Sequence, residues 1–128
     1  MWRGWNTLSY FTEHGDLKLF SCPCGDCGAR PTDNLVRILN DVREQAGVAM
    51  VVTSGPRCRP YNITIGGATY SEHLDGDAAD ISATDSRTRF LIVRAAVECG
   101  INRIGIGKTF VHLGISQTND PLVMWVYD

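Results

Sequence analysis

The sequence has no apolar run near the ~18 residues that a membrane-spanning helix requires. Nor does it carry an excess of positive charge. Twelve Lys and Arg residues against fourteen Asp and Glu give a net charge of −2, which argues against nucleic acid as the partner. The opening MWRGWNTLSYF lacks the basic, apolar and small-residue order of a signal peptide. No internal repeat or low-complexity linker divides the chain. Histidine is scarce, at three residues, and cysteine is odd in number, at five. Complete disulfide pairing within one chain is therefore excluded.

What is present is ordinary globular composition, with 44% hydrophobic and 20% charged residues in 128. That length matches one domain, residues 1–128, able to bury roughly two-thirds of its unfolded surface without cross-links. Residues 1–31 read as an aromatic N-terminal wrap followed by a cysteine loop. From Asp33 the apolar residues Leu35, Ile38, Leu39, Val42 and Ala46 recur at steps of three and four. That spacing predicts a helix capped by Thr32 or Asp33 and stopped by Gly47. Val48–Thr53 reads as a short buried strand, and residues 54–77 read as loop. A strand over Ala78–Ser82 precedes a second helix, capped by Asp85 or Ser86 and closed by Gly100. Phe90, Val93, Ala96 and Val97 are expected to face inward on it. Strands follow at Arg103–Ile106, Thr109–Ile115 and Leu122–Tyr127. This order predicts an α+β domain with a largely antiparallel sheet.

Chemistry concentrates in Ser71-Glu72-His73-Leu74-Asp75-Gly76-Asp77-Ala78-Ala79-Asp80-Ile81. Asp80 lies in an apolar strand, where a lone carboxylate is costly to bury; a metal ion or an arginine would each satisfy it. On the later strand, Phe110, His112 and Gly114 share one face, while Val111, Leu113 and Ile115 share the core face. His73, Asp80 and His112 thus form a candidate two-histidine, one-carboxylate metal site with a position left for water.

A second cluster is Cys22-Pro-Cys24-Gly-Asp-Cys27, with Cys58 distant. The CxxC spacing of Cys24 and Cys27 suits one metal or a redox pair, and Cys58 or His14 is a candidate fourth ligand. Packed thiols under a turn, a second metal and a disulfide are the alternatives.

The pattern Ser71-x-His73-x-x-Gly76-x-Ala78-x-Asp80 resembles the signature of the D-alanyl-D-alanine carboxypeptidase-like zinc peptidases. Further segments resemble their small phage-associated branch: Phe20–Gly25, Thr53–Cys58, Tyr61-Asn62 with Gly66–Ala68, and Arg103–His112. The likeness spans about residues 17 to 115. It implies the fold shared with the hedgehog signalling domain, with zinc on His73, Asp80 and His112 and peptidoglycan peptide as substrate. Arg57 would hold a substrate carboxylate, and Ser71 would contact substrate or shape the ligand loop. Delivery to the cell wall by phage lysis or within a virion would go with the missing signal.

Two positions depart from that pattern. Relatives carry an acidic residue three before the last histidine, where this chain has Thr109. The small branch reads His-x-Asp, where this chain has Gly114. Glu72 is the remaining candidate base, and Asp75 and Asp77 read as solvated turn residues. A zinc-holding structural or wall-binding module without hydrolysis, such as a virion component joined to other virion proteins, is therefore the alternative function. A redox or zinc-ribbon role centred on the cysteines is a third reading.

Overall fold

A computed structural model describes residue 10 and residues 16–17, 22–25 and 27–127. The expected ligand candidate His14, and most of the wrap at residues 1–20, lie outside these described residues. A five-stranded mixed sheet organises the domain. In chain order the elements are α1 (Asp33–Ala46), β1 (Val52–Ser54), α2 (Arg59–Thr64), a 3-10 turn (Glu72–Asp75), β2 (Ala78–Ser82), α3 (Ser86–Glu98), β3 (Arg103–Ile106), β4 (Phe110–Gly114) and β5 (Val123–Val126). The strand order is β1-β2-β4-β3-β5. All pairings are antiparallel except β3 with β5. The α+β architecture expected from the sequence is what the chain adopts.

Alternation along β2 and β4 decides which face carries the core. Ala79, Ile81, Val111 and Leu113 point to one side, where they join Leu35, Leu39, Val42, Ile92, Ala95 and Ala96 from α1 and α3. Each large side chain in that layer contributes roughly 1.5–3 kcal/mol by leaving water. With the helices on that face, Asp80 and His112 are left on the other.

Local signals explain the helix ends. Thr32 Oγ1 accepts the Leu35 N–H, and Gly47 closes α1 in the left-handed region. Asp85, not Ser86, caps α3 by accepting the Thr88 N–H.

Three expectations need correcting. Within Val48–Thr53 the ladder is confined to the end, because the Met50 N–H is taken by the Asp16 carboxylate at 2.7 Å. Residues 54–77 are not all loop, since α2 and the 3-10 turn fall within them. On α3, Phe90 and Val97 face outward at 61% and 56% exposure. The buried stripe is Ile92, Ala95 and Ala96. Its alanines let α3 pack closely on α1 and β4, and Phe90 instead lies under the Arg94 guanidinium.

Candidate metal centre

The register of β2 against β4 places Asp80 directly opposite His112. His73 reaches the same point from the 3-10 turn, which begins where Ser71 Oγ accepts the His73 N–H. One ligand atom from each of His73, Asp80 and His112 lies within 4.8 Å of the others. All three residues are buried. The sequence-derived trio is therefore brought together in space.

Proton placement follows from the partners. His73 Nδ1 lies 2.7 Å from the Gly55 carbonyl oxygen, which can only accept, so Nδ1 carries the proton. Its Nε2 lone pair then faces Asp80 Oδ1 at 3.3 Å. His112 presents Nδ1 to Asp80 Oδ1 at 3.0 Å and Nε2 to Glu72 Oε2 at 2.7 Å. Burial disfavours the His112 cation, but bonds to Asp80 and Glu72 outweigh it and raise its pKa. Burial likewise pushes the Asp80 carboxyl up, and the His112 and His73 bonds outweigh that and hold it well below its usual range.

Each imidazole thus has its far nitrogen held by a protein oxygen and its near nitrogen turned to one carboxylate. Ligating histidines are ordinarily held in this way. Two imidazoles and a carboxylate are a donor set suited to zinc. The residues present fit such an ion.

Glu72 is adjacent to His73 yet approaches the centre from behind His112. Its side chain is 1% exposed. Oε2 accepts from Arg103 Nε at 3.0 Å as well as from His112, and Oε1 accepts the Ser116 N–H at 3.1 Å. Burial raises its pKa, but the His112 bond leads a set of donors that lowers it overall. Gly114 makes this possible. A Cβ at that position would lie 2.2 Å from the Glu72 carboxyl carbon. The place beside His112 expected to lack a carboxylate is filled from residue 72, and the missing side chain at 114 is the room it needs. Thr109 is exposed and pairs instead through its carbonyl, which accepts the Ala83 N–H.

Arg57 borders the same cavity, of about 470 Å³. Its guanidinium meets Asn62 Oδ1 at 3.1 Å and Ser54 Oγ at 3.2 Å, and stands 3.9 Å from Asp80. Its Nε–H is buried without a hydrogen-bond partner among the described residues. Ser71 lines the cavity while shaping the ligand turn.

Sequence reasoning missed the far wall. Trp125 and Tyr127 line the cavity from β5 and beyond it, with the His112 and Trp125 rings 5.3 Å apart. Gly105, paired to both His112 and Trp125, leaves the space that Trp125 and Tyr127 occupy. Arg103 stacks over Trp125 at 5.2 Å while bonding Glu72. The available signal was the period-two pair Trp125 and Tyr127 facing a strand glycine.

Outside the cavity, Cys22, Cys24, Cys27 and Cys58 bring their sulfurs together within 4.8 Å of one another. Among known proteins, a family model described as Peptidase M15 matches residues 14–114. Comparison with curated proteins finds no match.

Proposed function

The chain belongs to the peptidase M15 family, and on that premise we propose that it is a zinc-dependent peptidase acting on peptidoglycan peptides. The observation that carries the reading is the convergence of His73, Asp80 and His112 with both far imidazole nitrogens held by protein oxygens. Bound there, zinc supplies Lewis-acid polarisation of a carbonyl and a water acidic enough to attack it near neutral pH. His73, Asp80 and His112 would hold the ion. Gly55 keeps the proton on His73 Nδ1, and Glu72 keeps one on His112 Nε2.

Glu72 acts through His112 on this reading, as a positioning residue rather than the general base. Both of its oxygens are occupied and its side chain is closed to solvent. Arg57, which borders the cavity, binds the substrate carboxylate through its guanidinium. Charge supports an anionic ligand. Asp80 and Glu72 are already matched by Arg57 and Arg103, so a divalent ion leaves the cavity net positive. Trp125 and Tyr127 form the wall against which the peptide lies. Phage lysis or virion delivery is the route to the wall that fits this substrate.

One observation favours the second reading, a zinc-holding module without turnover. The only carboxylates lining the cavity among the described residues, Glu72 and Asp80, are both committed to histidines. The same experiment separates the two. Zinc-loaded protein at micromolar concentration is incubated with peptidoglycan fragments, and released amine is counted. Release that disappears in Asp80→Ala supports the peptidase. No release over many hours, with zinc bound, establishes the module.

A further inference from the structure

We propose that Cys22, Cys24, Cys27 and Cys58 hold a structural zinc ion that ties the cysteine loop to the segment carrying Arg57. The distances argue for a tetrahedral ion. Cys58 Sγ lies 3.8 Å from Cys22 Sγ and 3.7 Å from Cys24 Sγ. A regular tetrahedron with Zn–S bonds of about 2.3 Å has edges of about 3.8 Å. None of the five cysteines forms a disulfide, and covalent pairing would demand sulfurs at about 2.05 Å.

Hydrophobic packing does not account for the cluster. Cys24 and Cys27 are exposed, so they gain little by leaving water, yet they converge on the buried Cys22. The backbone is arranged to stabilise sulfur anions. The Ala29 N–H points to Cys27 Sγ and the Cys58 N–H to Cys22 Sγ, both at 3.4 Å. The loop turns tightly at Cys22–Gly25, where the Gly25 N–H bonds the Cys22 carbonyl and Gly25 takes a φ of 79°. Such a turn returns the chain so that Cys24 and Cys27 meet Cys22.

Thiols that ligate a cation deprotonate outright. Four sulfur donors select zinc or iron over hard cations, and zinc needs no redox partner.

The consequence reaches the cleft. Cys58 is the N-cap of α2 and directly follows Arg57. The Arg57 N–H in turn bonds the His73 carbonyl at 2.9 Å. A zinc ion on Cys58 therefore fixes the segment that aims the Arg57 guanidinium.

The test uses full-length protein purified with thiol reductant and zinc, then freed of excess metal. Mass spectrometry should find two zinc ions per chain, matching the two ligand clusters. Asp80→Ala, which removes the cleft centre, should retain one, so this result stands apart from any failure of the peptidase reading. Cys24→Ser with Cys27→Ser should lose the other. Should that variant not fold, cobalt-loaded Asp80→Ala protein replaces it. Its spectrum should show thiolate-to-cobalt charge transfer and the intense visible bands of a tetrahedral site. A metal-free Asp80→Ala protein, iron in place of zinc, or a cobalt spectrum without charge transfer overturns the proposal.

Discussion

In the cleft, Asp80 and His112 project from paired strands, and each imidazole is held by a second residue that is itself buried. At the cysteine cluster the sulfurs come from loops, two are exposed, and aiming falls to backbone N–H groups and a glycine turn. A sheet register positions side chains before any ligand arrives. A loop cluster gains most of its order from the ion itself. The first arrangement suits a centre that must present an open position to substrate, and the second suits a clamp.

The sharpest way to break this contrast is to disable each centre in turn. His112→Ala should abolish peptide cleavage and cleft metal while leaving the cysteine centre loaded. It also leaves Asp80 and Glu72 without their shared partner, at a cost of about 3–5 kcal/mol. The cysteine pair variant should keep measurable activity with a raised KM. Metal content, thermal melting and kinetics on both proteins check this. Equal loss of activity in the two would erase the distinction.

The next effect tests how Glu72 and Gly114 share one space. Gly114→Asp sets a second carboxylate against the first and forces Glu72 from His112, Arg103 and the Ser116 N–H. The loss of those partners should cost about 1–3 kcal/mol and weaken cleft metal binding about 10–100-fold. Glu72→Ala alone should weaken it similarly. Combining Glu72→Ala with Gly114→Asp should recover much of the loss, because one carboxylate again stands beside His112. Additive losses in the double variant, measured by zinc titration, would show that the two positions are not coupled.

Why the sequence disclosed one half of this pair follows from what each signal measures. Asp80 and His112 were legible from strand patterning, and the ordered resemblance joined the loop residue His73 to them. Glu72 was weighed only as a base, since neighbours on an extended chain diverge. A 3-10 turn sends Glu72 and His73 to opposite sides of His112, and no periodicity in a turn of four residues shows that. Gly114 read as a missing aspartate because a glycine's meaning lies in what occupies the space beside it. On α3 the same blindness turned the helix: Phe90 and Val97 outweighed Ala95 in hydrophobicity, but the small residue won the packing. The strands were read nearly in full, though not their order in the sheet, because alternation in Ala79, Ile81, Val111 and Leu113 is local.

Acidity separates the two centres more gently. The cysteine pair variant isolates the cleft, and its metal-free form depends on opposed groups. The His112 pKa is raised above 6.5, so its stabilising contribution is complete below 6.5 and fades as pH rises through the raised value. Asp80 and Glu72 are lowered from 3.8 and 4.5. Their contributions are complete above those values and fade as pH falls through the lowered ones. Metal-free protein should therefore lose stability towards alkaline pH. Zinc reverses that limb, because ligation needs His112 Nδ1 without its proton. Melting curves with and without zinc between about pH 5 and 8 should show a zinc-dependent gain that grows with pH. A gain that shrinks with pH would place the ion away from His112.

The smallest effect lies where the two regions join. Thr32 follows the cysteine loop, and its N–H bonds the Gly76 carbonyl at 2.9 Å, just before β2. Its hydroxyl donates to Asp77 Oδ1 at 2.8 Å while accepting the Leu35 N–H at 3.3 Å. One side chain thus caps α1 and braces the turn between His73 and Asp80. Thr32→Ala removes both bonds but keeps the backbone one, and should cost about 1 kcal/mol, or roughly 4 °C in Tm. Thr32→Ser should restore most of it. Zinc content at both centres should stay unchanged, since the β2–β4 register and the Gly55 and Glu72 contacts do not pass through Thr32. If Thr32→Ala empties the cleft, the strands alone do not hold it, and the loop is part of the metal centre rather than a clamp beside it.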